Sequence, residues 1–319
     1  MAAKTAANPS KRTSKRKVAS SRAGAPRAAK VKPHITHPDR VYWVDAGVTK
    51  QDLLDYYGIV WDWMAPHVVG RPLALVRCPE GTIGQCFFQK HASAGLVPEN
   101  LHIVTDSKGR QIIAIEDSQG LVSLVQAGVL ELHVRGARID RLDVCDRIVF
   151  DLDPGEGVGW PEITACANEL RDRLAALELE SFVKLSGGKG VHVVVPIDGA
   201  DWEDTKAFTE TIAAAMAADT PDRYVAKMTK SLRRGKIFID YLRNSLEQTS
   251  VAVYSTRARP GAPISAPVTW QELGNVKTAN RYTVLNIRER LASMTADPWR
   301  QMDRVHQRLP KAGTARRRG

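Results

Sequence analysis

Two short apolar runs, each closed by aspartate, constrain the fold of this 319-residue chain more than any other feature. Ile148-Val149-Phe150-Asp151-Leu152-Asp153 reads as a strand stopped by Pro154-Gly155, and Lys236-Ile237-Phe238-Ile239-Asp240 repeats the pattern. Side chains alternate along a strand, so Phe150 and Leu152 turn toward a core while Asp151 and Asp153 share the other face. Two like charges roughly 6–7 Å apart repel unless something positive sits between them, and a divalent cation with oxygen ligands is the natural occupant. An isolated pair of this kind reads equally as a solvated strand end. Asp240 tips the balance, because two apolar strands that each end in an acid predict neighbours delivering three carboxylates to one cleft. Three acids suit two ions about 3.5–4 Å apart, the arrangement that supports in-line phosphoryl or nucleotidyl transfer.

Two further features bear on the same chemistry. Ser186-Gly187-Gly188-Lys189-Gly190 lies between the apolar runs 182–185 and 191–197, with His192 just beyond it. Glycines let backbone N–H groups approach an anion and Lys189 adds charge. No Walker pattern is present, and a strand follows where a Walker loop needs a helix. A plain hairpin turn with a core histidine accounts for the same residues. The basic series Lys227, Lys230, Arg233, Arg234 and Lys236, then Arg243, Arg257 and Arg259, concentrates positive charge around Asp240. Arginine forks match triphosphate oxygens and lysines match a nucleic-acid backbone, although a solvated charged face needs no more than this. His133, and Phe87-Phe88 beside Lys90, read either as core or as a base-stacking platform.

The rest of the chain places these motifs. Thr49 is a helix cap before Leu53, Leu54 and Tyr57, with Pro66 at or beyond the end of that helix. A strand is expected at 71–77 and a hairpin at 103–115 whose tip is Ser107-Lys108-Gly109-Arg110. Helical spacing covers 121–132, 163–177, 208–216, 282–291 and the stretch beyond Pro298. Strands and helices mix without a regular βαβ repeat, which predicts an α+β fold of mixed sheets flanked by helices, with a cleft between two lobes.

Residues 1–33 carry ten Lys or Arg and no acid, and Lys311, Arg316, Arg317 and Arg318 close the chain. Without these fourteen cations, 32 basic residues face 35 acidic ones, so the formal charge of +11 resides in the tails. Such arms are expected to stay disordered and to attract phosphate backbones without sequence preference. The division expected is a basic tail over 1–33, a catalytic domain over 34–308 and a basic tail over 309–319. No apolar stretch is long enough to span a membrane and the N-terminus lacks an apolar signal region, so a cytoplasmic, nucleoid-associated protein is expected. Cys78, Cys86, Cys145 and Cys166 form no CxxC pair and read as reduced thiols.

Phe150 to Gly157 resembles the first motif of the polymerase domain of bacterial ligase D, in the archaeo-eukaryotic primase superfamily. The 186–192 segment resembles its second motif and 237–240 its third, and the similarity runs in order from about residue 36 to 300. Supporting stretches are 49–57, 87–90, 130–133 and 254–259. The resemblance implies a primase-polymerase fold. It implies that Asp151, Asp153 and Asp240 bind Mn2+ or Mg2+, with NTP or dNTP as substrate. Ser186, Lys189, His192, Arg233 and Arg257 would hold the triphosphate, His133 would lie beside the nucleotide, and Phe87 and Phe88 would stack on a base. His37, Arg40 and Lys50 would meet a 5′-phosphate across a gap, with Arg40 standing where relatives often have lysine. Lys108 and Arg110 would align DNA ends, and Arg243 and Arg259 would add DNA contacts.

The expected activity is template-directed addition of nucleotides, ribonucleotides preferred, to 3′-hydroxyls in DNA gaps or at breaks. With no ligase lysine motif in view, the chain reads as a standalone polymerase whose partners are DNA, a separate ligase and an end-bridging protein. De novo priming uses the same site. A catalytically silent DNA-end-binding module and a nuclease are the readings from other classes, and a triphosphate pocket argues against the nuclease.

Overall fold

The computed structural model describes residues 1, 34–92, 96 and 98–310. Both basic arms, at 2–33 and from Lys311 onward, lie outside the described residues. In chain order the elements begin with β1 (Val41–Trp43), β2 (Val48–Thr49) and α1 (Lys50–Val68). Thr49 caps α1 through a reciprocal capping box with Asp52, and the helix runs through Pro66 to Val68. Then come β3 (Leu73–Arg77), β4 (Phe87–Gln89), the hairpin β5 (His102–Thr105) and β6 (Gln111–Ala114), α2 (Ser118–Gln126) and β7 (Val129–Val134). The second half contains β8 (Val144–Pro154), α3 (Trp160–Ala175), β9 (Phe182–Leu185), β10 (Val191–Asp201) and α4 (Trp202–Asp219). It closes with β11 (Tyr224–Val225), β12 (Ile237–Asp240), β13 (Ser250–Val251), β14 (Pro267–Val268), α5 (Trp270–Asn275) and α6 (Ile287–Ser293). Among the described residues no helix is long and apolar enough to cross a membrane.

Two large sheets organise the molecule, one mixed through the parallel pair β11–β12 and one antiparallel throughout. One runs β11-β12-β8-β10-β9-β14, and the other runs β13-β7-β3-β6-β5 with β4 joined to β3. Alternation along β8 places Ile148, Phe150 and Leu152 in a core shared with α3 and α4, through Ile163, Leu170, Ala213 and Met216. Val149, on the other face, belongs to a second core with Leu53, Tyr57, Leu75, Leu132 and Tyr254. The first sheet is thus covered on both faces, which leaves the strand ends and rims for polar work.

Several expectations are corrected. The helix expected over 121–132 stops at Gln126, and Val129–Val134 is a strand. Gly128 ends the helix with φ +79°, and a Cβ there would meet Pro79 Cα at 2.9 Å. The last helix begins at Ile287 rather than 282, because the preceding backbone pairs elsewhere: Ile264 N–H donates to Tyr282 O and Val284 N–H to Ala262 O. Beyond Pro298 the described residues form a 3-10 turn, Met302–Arg304, and no α-helix. Cys78 and Cys86 are not free thiols but a disulfide. Arg77 pairs with Phe87 across β3 and β4, so the next residue outward on each strand meets its counterpart, with Cα atoms 4.3 Å apart. Cys145 and Cys166 are free and buried.

Candidate active site

Strand register builds the centre of the site. Asp240 on β12 lies opposite Asp151 on β8, His192 on β10 lies opposite Asp151, and Lys184 on β9 lies opposite His192. Directly paired residues project from the same face about 5 Å apart, so Lys184, His192, Asp151 and Asp240 form one polar row across four strands. Asp153, two residues on along β8, extends the row toward solvent. The adjacent strands expected from the two aspartate-ended runs are therefore present.

The acids are held apart by arginines. Arg243 Nε stands 3.0 Å from Asp240 Oδ2 and 3.7 Å from Asp151 Oδ2. Asn244 fixes this arginine's position, because its side-chain amide takes both backbone hydrogen bonds of Val149, each 2.8 Å. Arg233 Nη1 reaches Asp153 Oδ2 at 3.3 Å while its guanidinium stacks 3.9 Å from the Phe238 ring centroid. As the side chains stand, the described residues contain no group of three or more His, Cys, Asp or Glu that could hold a metal ion.

The electrostatics of the row follow from burial. Asp151 is pushed up to about 6 by burial, with Asp240 and Asp153 adding to the rise and Arg243 and Lys184 opposing it. Burial also raises Asp240, against Arg243 and the Leu242 N–H. Lys184 is held well below the usual lysine range by burial, and its Nζ donates to Val251 O and Ser265 Oγ, both at 2.7 Å. Burial and the nearby cations hold His192 well down, so it is neutral beside Asp151 Oδ1, 3.4 Å away.

A cavity of about 410 Å³ opens beside this row. Asp151, Asp153, Ser186, Lys189, His192, Arg257 and His133 line it, joined by Arg243 and Arg259, which the sequence had suggested for DNA instead. The Ser186–Gly190 turn takes the backbone unusually close to its neighbours. Gly187 has φ +66°, and a Cβ on Gly190 would stand 1.9 Å from Leu152 O, so neither accepts a side chain. Ser186 Oγ accepts the Gly188 N–H at 3.2 Å, which braces the turn, and Lys189 projects outward exposed.

The second sheet supplies the opposite wall. His133 on β7 meets Phe88 in a T-shaped contact, 5.5 Å between centroids. Phe87 and Phe88 are 43% and 49% exposed, which is too open for core residues. As neighbours on β4 they face opposite ways, Phe87 under Arg77 at 5.4 Å and Phe88 near Lys90 Nζ at 5.9 Å from the ring centroid. Thr249, Ser250 and Val251 also line the cavity. Sequence reasoning missed them, as it missed Glu131, Lys184 and Asn244, because each is an ordinary residue in an ordinary run.

The remaining expected contacts lie elsewhere. Lys108 and Arg110 sit at the β5–β6 tip, both paired with Glu247 Oε1, at 3.2 and 2.7 Å. Arg40 Nη1 donates to Pro79 O at 2.9 Å, and the Arg40 N–H bonds to His37 O at 3.1 Å. Lys50 joins that corner but is only 3% exposed, its Nζ donating to Thr36 O and Gln126 Oε1. Its ammonium therefore faces protein, not solvent.

The family described as LigD, primase-polymerase domain, matches residues 49–299. The multifunctional non-homologous end joining protein LigD of Pseudomonas aeruginosa is 35% identical over 294 residues, covering 91% of this chain and 35% of that protein. The bifunctional non-homologous end joining protein LigD of Bacillus subtilis is 28% identical over 262 residues, 82% of this chain and 42% of the relative. The chain thus spans about a third to two fifths of the length of these relatives. The solved polymerase domain from Mycobacterium tuberculosis Ligase D, in complex with DNA, superposes with a TM-score of 0.78 at 31% identity, covering 85% of this chain and 98% of that one. With that family matched over most of its length and a relative at 35% identity, the chain belongs to the LigD primase-polymerase domain family.

Proposed function

We propose that the protein is a metal-dependent nucleotidyltransferase that extends a DNA 3′-hydroxyl opposite a template, in gap filling or non-homologous end joining. The observation that carries this reading is the row formed by His192, Asp151 and Asp240 beside a cavity walled by the 186–190 turn and Arg257. The similarity to a polymerase domain solved with DNA supports the choice of substrate.

Asp151, Asp153 and Asp240 offer hard carboxylate oxygens, a donor set that fits Mn2+ or Mg2+. They would hold the ions in exchange for their present contacts with Arg243 and Arg233. Such ions supply Lewis acidity, easing loss of a hydroxyl proton and neutralising charge on phosphate oxygens. The protein's own groups supply position. Lys189 and the amides of the 186–190 turn bind triphosphate oxygens, and the Arg257 fork reaches the same anion from the other wall. Phe88 stacks on a base next to His133, while Phe87, the next residue on β4, faces the other way. His192, being neutral, supports Asp151 without competing for the incoming charge. The 3′-oxygen then displaces pyrophosphate from the α-phosphorus, with reactants held rather than activated by a side-chain nucleophile.

The reading extends to a preference for ribonucleotides and for gaps with a downstream 5′-phosphate, and to cooperation with a ligase and an end-bridging protein. Primer extension on gapped DNA with Mn2+ tests it, comparing ribo- with deoxyribonucleotides and the intact protein with Asp151→Ala. Incorporation that requires Asp151 is expected. No incorporation with any metal or nucleotide would leave a DNA-binding module instead.

A further inference from the structure

Glu131 lies behind the cavity wall, 6% exposed, with both carboxylate oxygens occupied. Its Oε2 is 2.8 Å from His133 Nε2 and 3.0 Å from Arg257 Nε, and its Oε1 accepts the Ala258 N–H at 2.8 Å. A carboxylate only accepts, so this contact places the His133 proton on Nε2. Burial pushes Glu131 up, but His133, Arg257 and the Ala258 N–H outweigh it and hold the carboxyl at about 2. Burial lowers His133 against the pull of Glu131, so the imidazole is neutral and the carboxylate keeps its charge.

The two residues gripped by Glu131 come from separate parts of the chain. His133 is on β7, while Arg257 follows β13 and also donates from Nη1 to Ser186 O at 2.6 Å. The 255–258 segment is already stitched to β7 by neutral bonds, Leu132 N–H to Ser255 Oγ at 2.8 Å and Thr256 Oγ1 to Leu130 O. Glu131 adds one further backbone bond there, from the Ala258 N–H, to a segment already held without it. What it adds beyond that is the aim of two side chains that both line the cavity.

We propose that Glu131 is the positioning residue of the nucleotide pocket, locking the His133 ring and the Arg257 fork into one unit through a shared carboxylate oxygen. This rests on the nucleotide-pocket reading above. Glu131 does not touch substrate. It sets the tautomer of His133, and it leaves Arg257 Nη1 on the phosphate-binding turn by engaging Nε from behind. A glutamine has one acceptor oxygen. Facing His133 and Arg257 with it, the side chain turns its N–H2 against the Ala258 N–H; flipped, it turns that N–H2 against both donors. The charge and one side of the clamp are lost while side-chain volume is kept.

The test uses the full chain on gapped DNA with Mn2+ and measures single-nucleotide incorporation. Glu131→Gln is expected to raise nucleotide KM about tenfold or more, the scale of one lost charge-assisted hydrogen bond, with kcat and DNA affinity changed less than about threefold. Glu131→Asp keeps the charge and is expected to recover part of the loss. In a His133→Ala, Arg257→Ala background, Glu131→Gln should add less than about twofold, because its targets are gone. A KM within about twofold of the parent, or an undiminished effect in that background, would overturn the proposal. If the parent incorporates nothing, the polymerase reading fails separately, and UTP titrated calorimetrically with Mn2+ decides this one. Weaker binding to Glu131→Gln supports it, whereas equal binding, or none to the parent, overturns it.

Discussion

The two walls of the cavity handle charge in opposite ways. Along β8, β9 and β10, burial works against the charged forms: Asp151 is raised to about 6, and Lys184 and His192 are lowered. On β7, Glu131 is buried just as deeply yet is lowered to about 2, because each oxygen has a donor. Burial alone therefore does not decide the sign; the count of matched partners does. The first wall carries like charges that arginines only partly compensate, so it gains most from incoming cations. The second is complete before any ligand arrives, and its cost of organisation has been met by folding.

The contrast is sharpened most by Asp240→Ala. Nucleotide incorporation should fall about a thousandfold or more, near 4 kcal/mol of barrier, with DNA binding retained. Primer extension and a binding titration on the same protein check it. Loss of binding in parallel would mean that the acid holds structure rather than reactants.

Next come two substitutions with opposite signs. Glu131 has a depressed carboxyl, so its stabilisation is fully present above the unfolded value near 4.5 and is lost as pH falls toward 2. Glu131→Gln should cost about 3 kcal/mol at neutral pH, and the difference from the parent should shrink below pH 4.5. Asp151 is raised, so its ionisation destabilises the fold above pH 6, and that penalty is relieved as pH falls from 6 toward 4. In chelator, Asp151→Asn should therefore stabilise the protein at pH 8 by up to about 3 kcal/mol, a gain that fades by pH 4. Mn2+ should reverse the order by stabilising the parent more than the variant. Urea unfolding at several pH values, with chelator or Mn2+, reads all of these. Equal signs for the two variants would break the comparison.

The smallest effect concerns the Cys78–Cys86 disulfide, which closes a short loop beneath Phe87 and Phe88. Cys86→Ser should cost about 2 kcal/mol from the restored freedom of the unfolded loop. The loss should be the same at pH 5 and pH 8 and with or without Mn2+, because the bond belongs to the wall that is complete without ligand. A loss that changed with Mn2+ would couple the walls more tightly than their contacts indicate.

Much of this was legible in the sequence because it is local. Alternation sent Phe150 and Leu152 inward and left Asp151 and Asp153 on the other face, Thr49 capped its helix, and the glycine turn at 186–190 joined two strands. Where local signals competed, the reading failed. The apolar run across Gly128 looked helical, which hid Glu131 inside a supposed helix, and residues 282–286 lost their helix to pairing with 262–264.

Taken by itself, then, the sequence determined which residues could carry charge at strand ends, since period-two alternation and turn chemistry act within a few residues. Only the tertiary structure decided that Asp240 stands opposite Asp151, that Arg243 lies between them, that Glu131 joins His133 to Arg257 and that Lys50 is covered by Thr36. Asp240 and Asp151, like Arg257 and Glu131, are far apart in the chain. The register of Asp240 against Asp151 is set by how two cores pack against both faces of one sheet, and a slip of one residue in β8 or β12 would turn its aspartate to the wrong side.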